Sequence, residues 1–308
     1  MKNNPYNGIV LIDKNEGETS FDVVKRLRHV LNIKKVGHSG TLDPFATGLL
    51  IILLGQGTRL SPYLMSGEKR YRATMRLGVE TDSLDPTGRV IRTAIVPEFG
   101  TEQIREIAHR FIGEIEQVPP VFSAVNYKGR RAYELARKGL PVELKKRRVK
   151  IHSLEVLSID LPDVTMDIRC SGGTYIRSLA ADMGKELGTV AHLSVLRRLS
   201  SGSFNVEDAL NSKEISAAAS DGIIQGRIIQ LKEALPDMKE IQVDAWTADY
   251  IRKGRKPRWK EVAAGNSFTD LKEEYIKLVD GDELVSIMEI DDLSGDDKAW
   301  FRKMRVFH

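Results

Sequence analysis

One aspartate lies in a segment that favours a sharp turn, and its carboxylate is the first candidate for chemistry. Residues 37–48 read Gly-His-Ser-Gly-Thr-Leu-Asp-Pro-Phe-Ala-Thr-Gly. Pro44 directs Asp43 away from helical backbone angles, and the flanking glycines allow the chain to reverse direction. A single carboxylate presented on such a loop is suited to catalysis, although Asp-Pro is also a common turn pair.

An arginine and two tyrosines form two further candidate groups. Residues 172–177 read Gly-Gly-Thr-Tyr-Ile-Arg, and they place Arg177 in the first turn of a helix, where the helix dipole disfavours a cation. We expect Arg177 to pair with a nearby anion, beside Tyr175; the alternative is a solvated arginine in a strand-to-helix turn. Tyr71 follows Lys69 closely at the start of another strand. An aromatic side chain in a basic context either packs in the core or stacks on a nucleobase.

The hydrophobic pattern predicts the elements that position these residues. Strands are expected at 8–13, 49–54, 71–78, 164–170 and 192–204. One helix is expected to begin at Thr19 or Ser20, with an apolar stripe of Phe21, Val24, Leu27 and Leu31. Further helices are expected over 101–112 and over a segment whose apolar positions are Leu179, Met183 and Leu187. The absence of strict strand–helix–strand repetition favours an α+β fold with a mixed sheet. After about residue 239, short strand-like pieces at 241–243, 275–279, 283–290 and 304–307 predict a small β-rich domain.

Positive charge is concentrated in two segments. The whole chain of 308 residues carries a net charge of +4, whereas residues 128–150 contain ten basic and two acidic residues and therefore carry +8. A second cluster comprises Arg252, Lys253, Arg255, Lys256, Arg258 and Lys260. Focused positive charge is typical of proteins that bind a polyanion, and solvated helix faces are the alternative.

Several classes of protein are disfavoured by composition and motif. The longest apolar run, 49–54, is far shorter than the roughly 20 residues that cross a bilayer, and no secretory signal is visible. The single cysteine, Cys170, and six dispersed histidines offer no metal-ligand spacing. Phosphate-binding and dinucleotide-binding glycine motifs are missing. We therefore expect a cytoplasmic protein of two domains that uses neither a metal nor a cofactor.

Taken together, these motifs resemble the TruB family of tRNA pseudouridine synthases. The resemblance rests on the Asp43 segment, on Lys69-Arg-Tyr71, on residues 173–177 and on Leu196-Arg-Arg198, in this order along nearly the whole chain. The opening motif of the family, Asp-Lys-Pro-x-Gly-x-Thr-Ser, is also present, except that Asn15 replaces the proline. We expect this replacement to loosen one turn without affecting the chemistry.

The resemblance implies a reaction and a set of site residues. The family isomerises a uridine of the tRNA T-loop, conventionally uridine-55, to pseudouridine. Asp43 would be the essential carboxylate, Arg177 would pair with it and lower its pKa, and Tyr71 would stack on the flipped uracil. The route remains open: Asp43 could attack C1′, add to C6 or remove a proton from C2′. The substrate-binding residues implied are His38, Tyr175, Leu196, Lys69, Arg130 and Arg147.

The resemblance also implies the domain organisation and the partners. The catalytic domain would span 1–237, with an RNA-binding insertion at about 122–150 that is mobile without RNA. A PUA-like RNA-binding domain would span 238–308 and reach the acceptor-stem side of tRNA. We expect a monomer without a protein partner. Two rivals are a noncatalytic tRNA-binding or tRNA-folding chaperone, and an RNA methyltransferase, which lacks a glycine-rich nucleotide loop here.

Overall fold

The computed structural model describes residues 6–258, 262, 274–290 and 301–308. The strands are β1 (Gly8–Lys14), β2 (Val36–Ser39), β3 (Thr47–Leu54), β4 (Lys69–Leu77), β5 (Val79–Thr81), β6 (Val90–Thr93), β7 (Gly113–Gln117), β8 (Asn126–Tyr127), β9 (Arg130–Arg131), β10 (Arg147–Asp160), β11 (Asp163–Cys170), β12 (Ala191–Ser201), β13 (Phe204–Asn205), β14 (Leu210–Asn211), β15 (Lys239–Gln242), β16 (Tyr275–Asp280), β17 (Glu283–Ile290) and β18 (Phe301–Val306). The helices are α1 (Ser20–Val30), α2 (Ser61–Ser66), α3 (Thr101–Arg110), α4 (Ala132–Ala136), α5 (Ile176–Glu186), α6 (Ile215–Ser220), α7 (Ile223–Gly226) and α8 (Ala245–Arg252).

A large mixed sheet forms the centre of the protein. Its strand order is β14-β1-β3-β12-β4-β11-β10-β7, with β2 paired to β3 and β13 paired to β12. The β1–β14 and β3–β12 pairs are parallel, and the other pairs are antiparallel. The predicted α+β fold with a mixed, mainly antiparallel sheet is therefore confirmed.

Two central strands show how the sequence pattern sets burial. In β4, the side chains of Tyr71, Ala73, Met75 and Leu77 are buried, and they alternate with more accessible residues, as predicted. Strand β3 is apolar from Leu49 to Leu54 because both faces of the sheet are covered: Leu50, Ile52 and Leu54 join one hydrophobic cluster, and Leu49, Ile51 and Leu53 join the other.

The first helix differs from its prediction at one residue. Thr19 caps α1, accepting a hydrogen bond from the Asp22 amide and pairing with the Asp22 side chain in a capping box. Val23 is buried, whereas Phe21, expected in the apolar stripe, is 51% exposed. The Phe21 ring lies in the first turn at the surface, where the Lys25 ammonium lies 4.8 Å from its centroid.

A small C-terminal β-sheet domain follows the large sheet. Strands β15, β16, β17 and β18 form a separate four-stranded sheet, and Val279, Leu284, Ile287 and Phe307 from this region pack into the second hydrophobic cluster. The domain also contains helix α8, which the sequence pattern did not reveal. Lys260 of the second basic cluster lies outside the described residues. Within the described ranges, no helix is long and apolar enough to cross a membrane.

Candidate active site

The loop between β2 and β3 carries Asp43, and its backbone is tied to the start of α1. The Ser20 hydroxyl donates to the Leu42 carbonyl at 3.0 Å and accepts from the Leu42 amide at 2.9 Å. The Ala46 amide donates to the Asp43 carbonyl at 3.1 Å, which closes a tight turn around Pro44. These bonds fix the backbone on both sides of Asp43.

Lys14 and Asn15, which belong to the family's opening motif, lie next to the Asp43 loop and stabilise the backbone there. The Lys14 ammonium is fully buried and donates to the carbonyls of Glu18, at 2.7 Å, and Pro44, at 3.3 Å. Burial lowers the pKa of Lys14 to about 8. The expectation that Asn15 loosens a turn is wrong: its backbone N–H, which a proline would lack, donates to the Glu18 carboxylate at 3.0 Å, and its side-chain amide donates to the Ser212 hydroxyl at 2.7 Å.

Arg177 makes the ion pair expected from its place at the start of α5. Its Nε lies 3.0 Å from Oδ2 of Asp43, and its Nη2 lies 3.1 Å from Oδ1, so the pair is bidentate. The arginine is 3% exposed. The Asp43 side chain keeps 30% of its surface accessible, so a buried cation holds a carboxylate that still faces solvent.

A second aspartate, Asp85, completes the arginine's environment, and it was absent from the sequence-based site. Its Oδ2 lies 3.1 Å from Nη1 of Arg177. Asp85 also accepts hydrogen bonds from the Ser83 hydroxyl at 2.8 Å and from the Thr87 hydroxyl at 2.6 Å. The one signal in the sequence is a second Asp-Pro pair, Asp85-Pro86, flanked by hydroxyl residues.

The electrostatics of Asp43 correct one expectation. Burial raises the pKa of Asp43 above its ordinary value of 3.8, and the Asp85 carboxylate raises it further. Arg177 and Lys14 act in the opposite direction without reversing the rise. The prediction that Arg177 leaves Asp43 with a depressed pKa is therefore wrong, because desolvation is the larger effect. The guanidinium instead limits how far burial raises this pKa.

The Asp85→Asn substitution tests this electrostatic balance. We expect the free energy of unfolding to fall by about 2–3 kcal/mol, because a buried guanidinium loses a charged hydrogen-bond partner. We also expect the pKa of Asp43 to fall, since Asp85 raises it. Denaturant unfolding and carbon-13 NMR titration of the aspartate carboxylates measure the two effects. Asp82→Asn, in the same loop, is the control; an Asp43 titration unchanged by Asp85→Asn would contradict this account.

Tyr71 and Leu196 lie side by side in the central strands. Tyr71 is 8% exposed in β4, and Leu196, in β12, pairs with Ala73 of the same strand. Burial raises the pKa of the Tyr71 hydroxyl, while the guanidinium of Arg198 lowers it and the Asp43 carboxylate raises it. Arg198 pairs with Tyr71 across the β4–β12 ladder and also donates to the Gly40 carbonyl of the Asp43 loop.

His38 and Tyr175 lie on segments adjoining Asp43 and Arg177. His38 is in β2, and its Nδ1 is buried without a hydrogen-bond partner within the described ranges. Burial lowers the pKa of His38, and Arg198 lowers it further. The backbone of Tyr175 is held by the Gln117 side chain, with N–Oε1 and Nε2–O distances of 2.8 and 2.9 Å. Both residues are thus placed on well-supported backbone.

The three basic residues expected to bind RNA lie in different environments. Arg147 lies 5.1 Å from the centroid of the Tyr175 ring, at a cleft of about 590 Å³ lined mainly by residues of the basic segment. Arg130 is exposed on the β8–β9 hairpin. Lys69, expected among the substrate-binding residues, is instead buried: it is 5% exposed and donates to the Leu64, Met65 and Gly67 carbonyls at the end of α2. Burial lowers its pKa to about 8.

Within the described residues, no group of three or more His, Cys, Asp or Glu side chains is arranged to hold a metal ion. Cys170 is buried in β11, and burial raises the pKa of its thiol to about 12. A thiol with such a high pKa is inert at neutral pH.

Comparison with known proteins places these features in a family. Residues 28–176 match the family model described as TruB family pseudouridylate synthase (N terminal domain). Residues 177–239 match the model described as tRNA pseudouridylate synthase B C-terminal domain. Among solved structures, a Cbf5-Nop10-Gar1 complex is similar with a TM-score of 0.74 and 26% identity, covering 99% of this chain and 85% of that chain.

Curated relatives agree with the family models. A tRNA pseudouridine synthase B of Geobacter sulfurreducens is 43% identical over 258 residues, which are 84% of this chain and 85% of the relative. A protein of the same name from Clostridium tetani is 40% identical over 256 residues, covering 83% of this chain and 87% of the relative. Identity at this level over most of both chains indicates a shared fold and a common ancestor. The chain therefore belongs to the TruB family of pseudouridylate synthases.

Proposed function

We propose that this protein is a tRNA pseudouridine synthase that isomerises uridine-55 of the T-loop. The C1′–N1 bond breaks, the uracil turns, a C1′–C5 bond forms, and the proton lost from C5 is balanced by one gained at N1. No atom or electron is exchanged with a cofactor. The observation that carries the proposal is the partly accessible Asp43 carboxylate held by two nitrogens of a buried Arg177, in a chain 43% identical to a tRNA pseudouridine synthase B.

Asp43 is the proposed catalytic carboxylate. Attack at C1′, addition to C6 and removal of the C2′ proton all require its ionised form, with one oxygen directed at the nucleotide. The bidentate pair with Arg177 fixes the direction of the carboxylate. It also opposes the effect of burial on the pKa of Asp43, which favours ionisation at neutral pH.

The target uridine reaches Asp43 by flipping out of the base stack of the T-loop. Extruding a base costs a few kcal/mol, and stacking on an aromatic ring contributes about 1–3 kcal/mol. We assign that ring to Tyr71, whose hydroxyl is also a candidate for proton transfer at C5. His38 would occupy space near the flipped base, while Leu196 and Tyr175 would line the pocket. The buried, regular strands that carry Tyr71 and Leu196 suit a preformed pocket.

The basic segment is the proposed clamp on the T-loop. Of residues 122–150, those at 122–146 include the β8–β9 hairpin with the exposed Arg130 and α4, and they lie outside the large sheet, whereas 147–150 begin β10 of that sheet. We propose that this segment is mobile without tRNA and closes on it. We further propose that 1–237 form the catalytic domain and that 238–308 form a PUA-like domain facing the acceptor stem. The enzyme would act as a monomer in the cytoplasm.

Salt dependence tests the clamp. For Arg130→Ala we expect a several-fold loss of affinity for a T-stem-loop RNA, and a slope of log Kd against log salt that is smaller by about one, because one phosphate contact is lost. The turnover number at saturating RNA should be unchanged. Fluorescence anisotropy at several salt concentrations measures the slope. Lys185→Ala, near the far end of α5 from Arg177, is the control; identical slopes for both variants would refute the assignment.

The function itself is tested by tritium release. tRNA labelled at C5 of uridine should release tritium to water in the presence of the wild-type protein, without any added cofactor, because C5 exchanges its proton for the bond to C1′. Binding of tRNA without release would instead favour the noncatalytic chaperone. A dependence on added S-adenosylmethionine would favour a methyltransferase.

A further inference from the structure

Arg198 is a buried cation that lies outside the set of residues assigned to the proposed chemistry. It lies in β12, is 1% exposed, and donates from Nε to the Leu49 carbonyl at 2.6 Å and from Nη2 to the Gly40 carbonyl at 3.2 Å. Among the described residues, no carboxylate lies within 4 Å of its guanidinium. Burying a charge without a counter-ion is costly, so this arrangement calls for a compensating role.

The carbonyl partners of Arg198 lie on the two sides of Asp43. Gly40 precedes Asp43 in the loop, and Leu49 follows it at the start of the buried part of β3. The loop also approaches the backbone of Arg198: a Cβ on Gly48, whose φ is +99°, would lie 2.2 Å from the Arg198 carbonyl oxygen. One residue therefore holds both ends of the loop that presents the carboxylate.

Arg198 also faces Tyr71. The two residues are direct partners in the antiparallel β4–β12 ladder, so their side chains lie on the same face of the sheet. A guanidinium has donors and no acceptor. A tyrosine hydroxyl that hydrogen-bonds to a guanidinium can therefore act only as the acceptor of that bond. Its own proton remains available for a different acceptor. The influence of Arg198 on the Tyr71 pKa agrees with this proximity.

We propose that Arg198 is a positioning residue that fixes the Asp43 loop and the Tyr71 hydroxyl relative to each other. The proposal rests on the proposed function, because it assigns Asp43 and Tyr71 to one reaction. Two groups that act on the same nucleotide must keep a constant separation, and a misplacement of about 1 Å can reduce a rate about 100-fold. A rigid donor fork that spans the loop and the neighbouring strand provides this constraint.

Arg197 is a matched control for Arg198. It is the preceding residue of β12 and projects to the opposite face, where it forms a bidentate pair with Asp13 at 3.0 and 2.8 Å. Substituting Arg197 removes an arginine of the same strand together with its two hydrogen bonds to Asp13. It leaves the contacts of Arg198 with Gly40 and Leu49 in place.

The experiment compares Arg198→Lys, Arg198→Met and Arg197→Met in the full-length protein. For Arg198→Met we expect a turnover number about 100-fold below wild type, with the Kd for a T-stem-loop RNA within about twofold. Lysine keeps the charge and one donor but loses the fork, so Arg198→Lys should recover part of the loss. Arg197→Met should keep wild-type turnover. Thermal unfolding of each variant defines its folded fraction, and Arg198→Lys decides the outcome if the methionine variant does not fold.

A double variant separates positioning from a structural effect. In a Tyr71→Phe background there is no hydroxyl to orient, so Arg198→Lys should reduce the single-turnover rate by a clearly smaller factor than it does in wild type. Equal factors in both backgrounds would overturn the proposal. A wild-type turnover number for folded Arg198→Lys, or a loss expressed only in RNA affinity, would do the same. If the wild-type protein shows no turnover, the proposed function fails first, and the two failures remain distinguishable.

Discussion

Asp43→Asn is expected to reduce turnover by a factor on the order of 10⁴ while leaving the Kd for tRNA within about twofold. Asparagine has nearly the same shape as aspartate, and it can still accept a hydrogen bond from Arg177. It cannot attack carbon or take a proton. The substitution therefore removes the chemistry and keeps the pocket. Single-turnover tritium release, together with RNA binding measured separately, gives the two quantities.

The stability of this variant provides a second readout. Burial raises the pKa of Asp43, which favours a neutral side chain at this position, whereas the buried Arg177 loses a charged partner. Because these two effects oppose each other, the melting temperature should fall less than it does in Asp85→Asn. Asp163→Asn is the control, because it removes the carboxylate that pairs with Arg76 on an exposed part of the sheet. Turnover retained in Asp43→Asn would show that another group performs the reaction.

Arg177→Lys is expected to lower the turnover number by about 10²–10³-fold with little change in tRNA affinity. Lysine keeps the positive charge but cannot make two parallel bonds to Asp43 and also reach Asp85. The carboxylate would then lose its fixed direction. The effect should appear in the chemical step, so the single-turnover rate at saturating RNA is the appropriate measurement.

The pH dependence of this variant has a definite sign. We expect turnover to require ionised Asp43 and to be lost as the pH falls through the pKa of that carboxyl, which lies above 3.8. Arg177 opposes the rise in this pKa, so a weaker pairing should move the acid limb of the rate profile to higher pH. Arg76→Lys, at a bidentate but exposed pair with Asp163, is the control. Wild-type rates at all pH values for Arg177→Lys would remove the ion pair from the mechanism.

Local patterns in the sequence were sufficient to predict much of the fold. The alternation in β4 and the continuous apolar run in β3 depend only on which faces of a strand are covered, and the structure has both. The position of Arg177 in the first turn of α5 indicated an anionic partner, and that partner is Asp43. In each case the signal is local, although the anion that answers it at Arg177 lies 134 positions away in the sequence.

Features that depend on distant segments could not be predicted in the same way. Asp85 reaches Arg177 across 92 positions of sequence, and only the folded β5–β6 loop brings it there. Lys69 has the sequence context of an RNA contact, but its environment is set by the end of α2, which buries its ammonium. The contacts of Arg198 with the Asp43 loop and its pairing with Tyr71 likewise require β3, β4 and β12 to be neighbours.

A crystal structure of the protein with a T-stem-loop RNA that carries 5-fluorouridine at the target position is the most direct test of the central claim. We predict that the target nucleotide is flipped out, with its uracil on the Tyr71 ring and an Asp43 oxygen within about 3.5 Å of its ribose or base. The Asp43–Arg177 pair should persist in the complex. A target nucleotide bound in another cavity, or an Asp43 carboxylate turned away from it, would contradict the account.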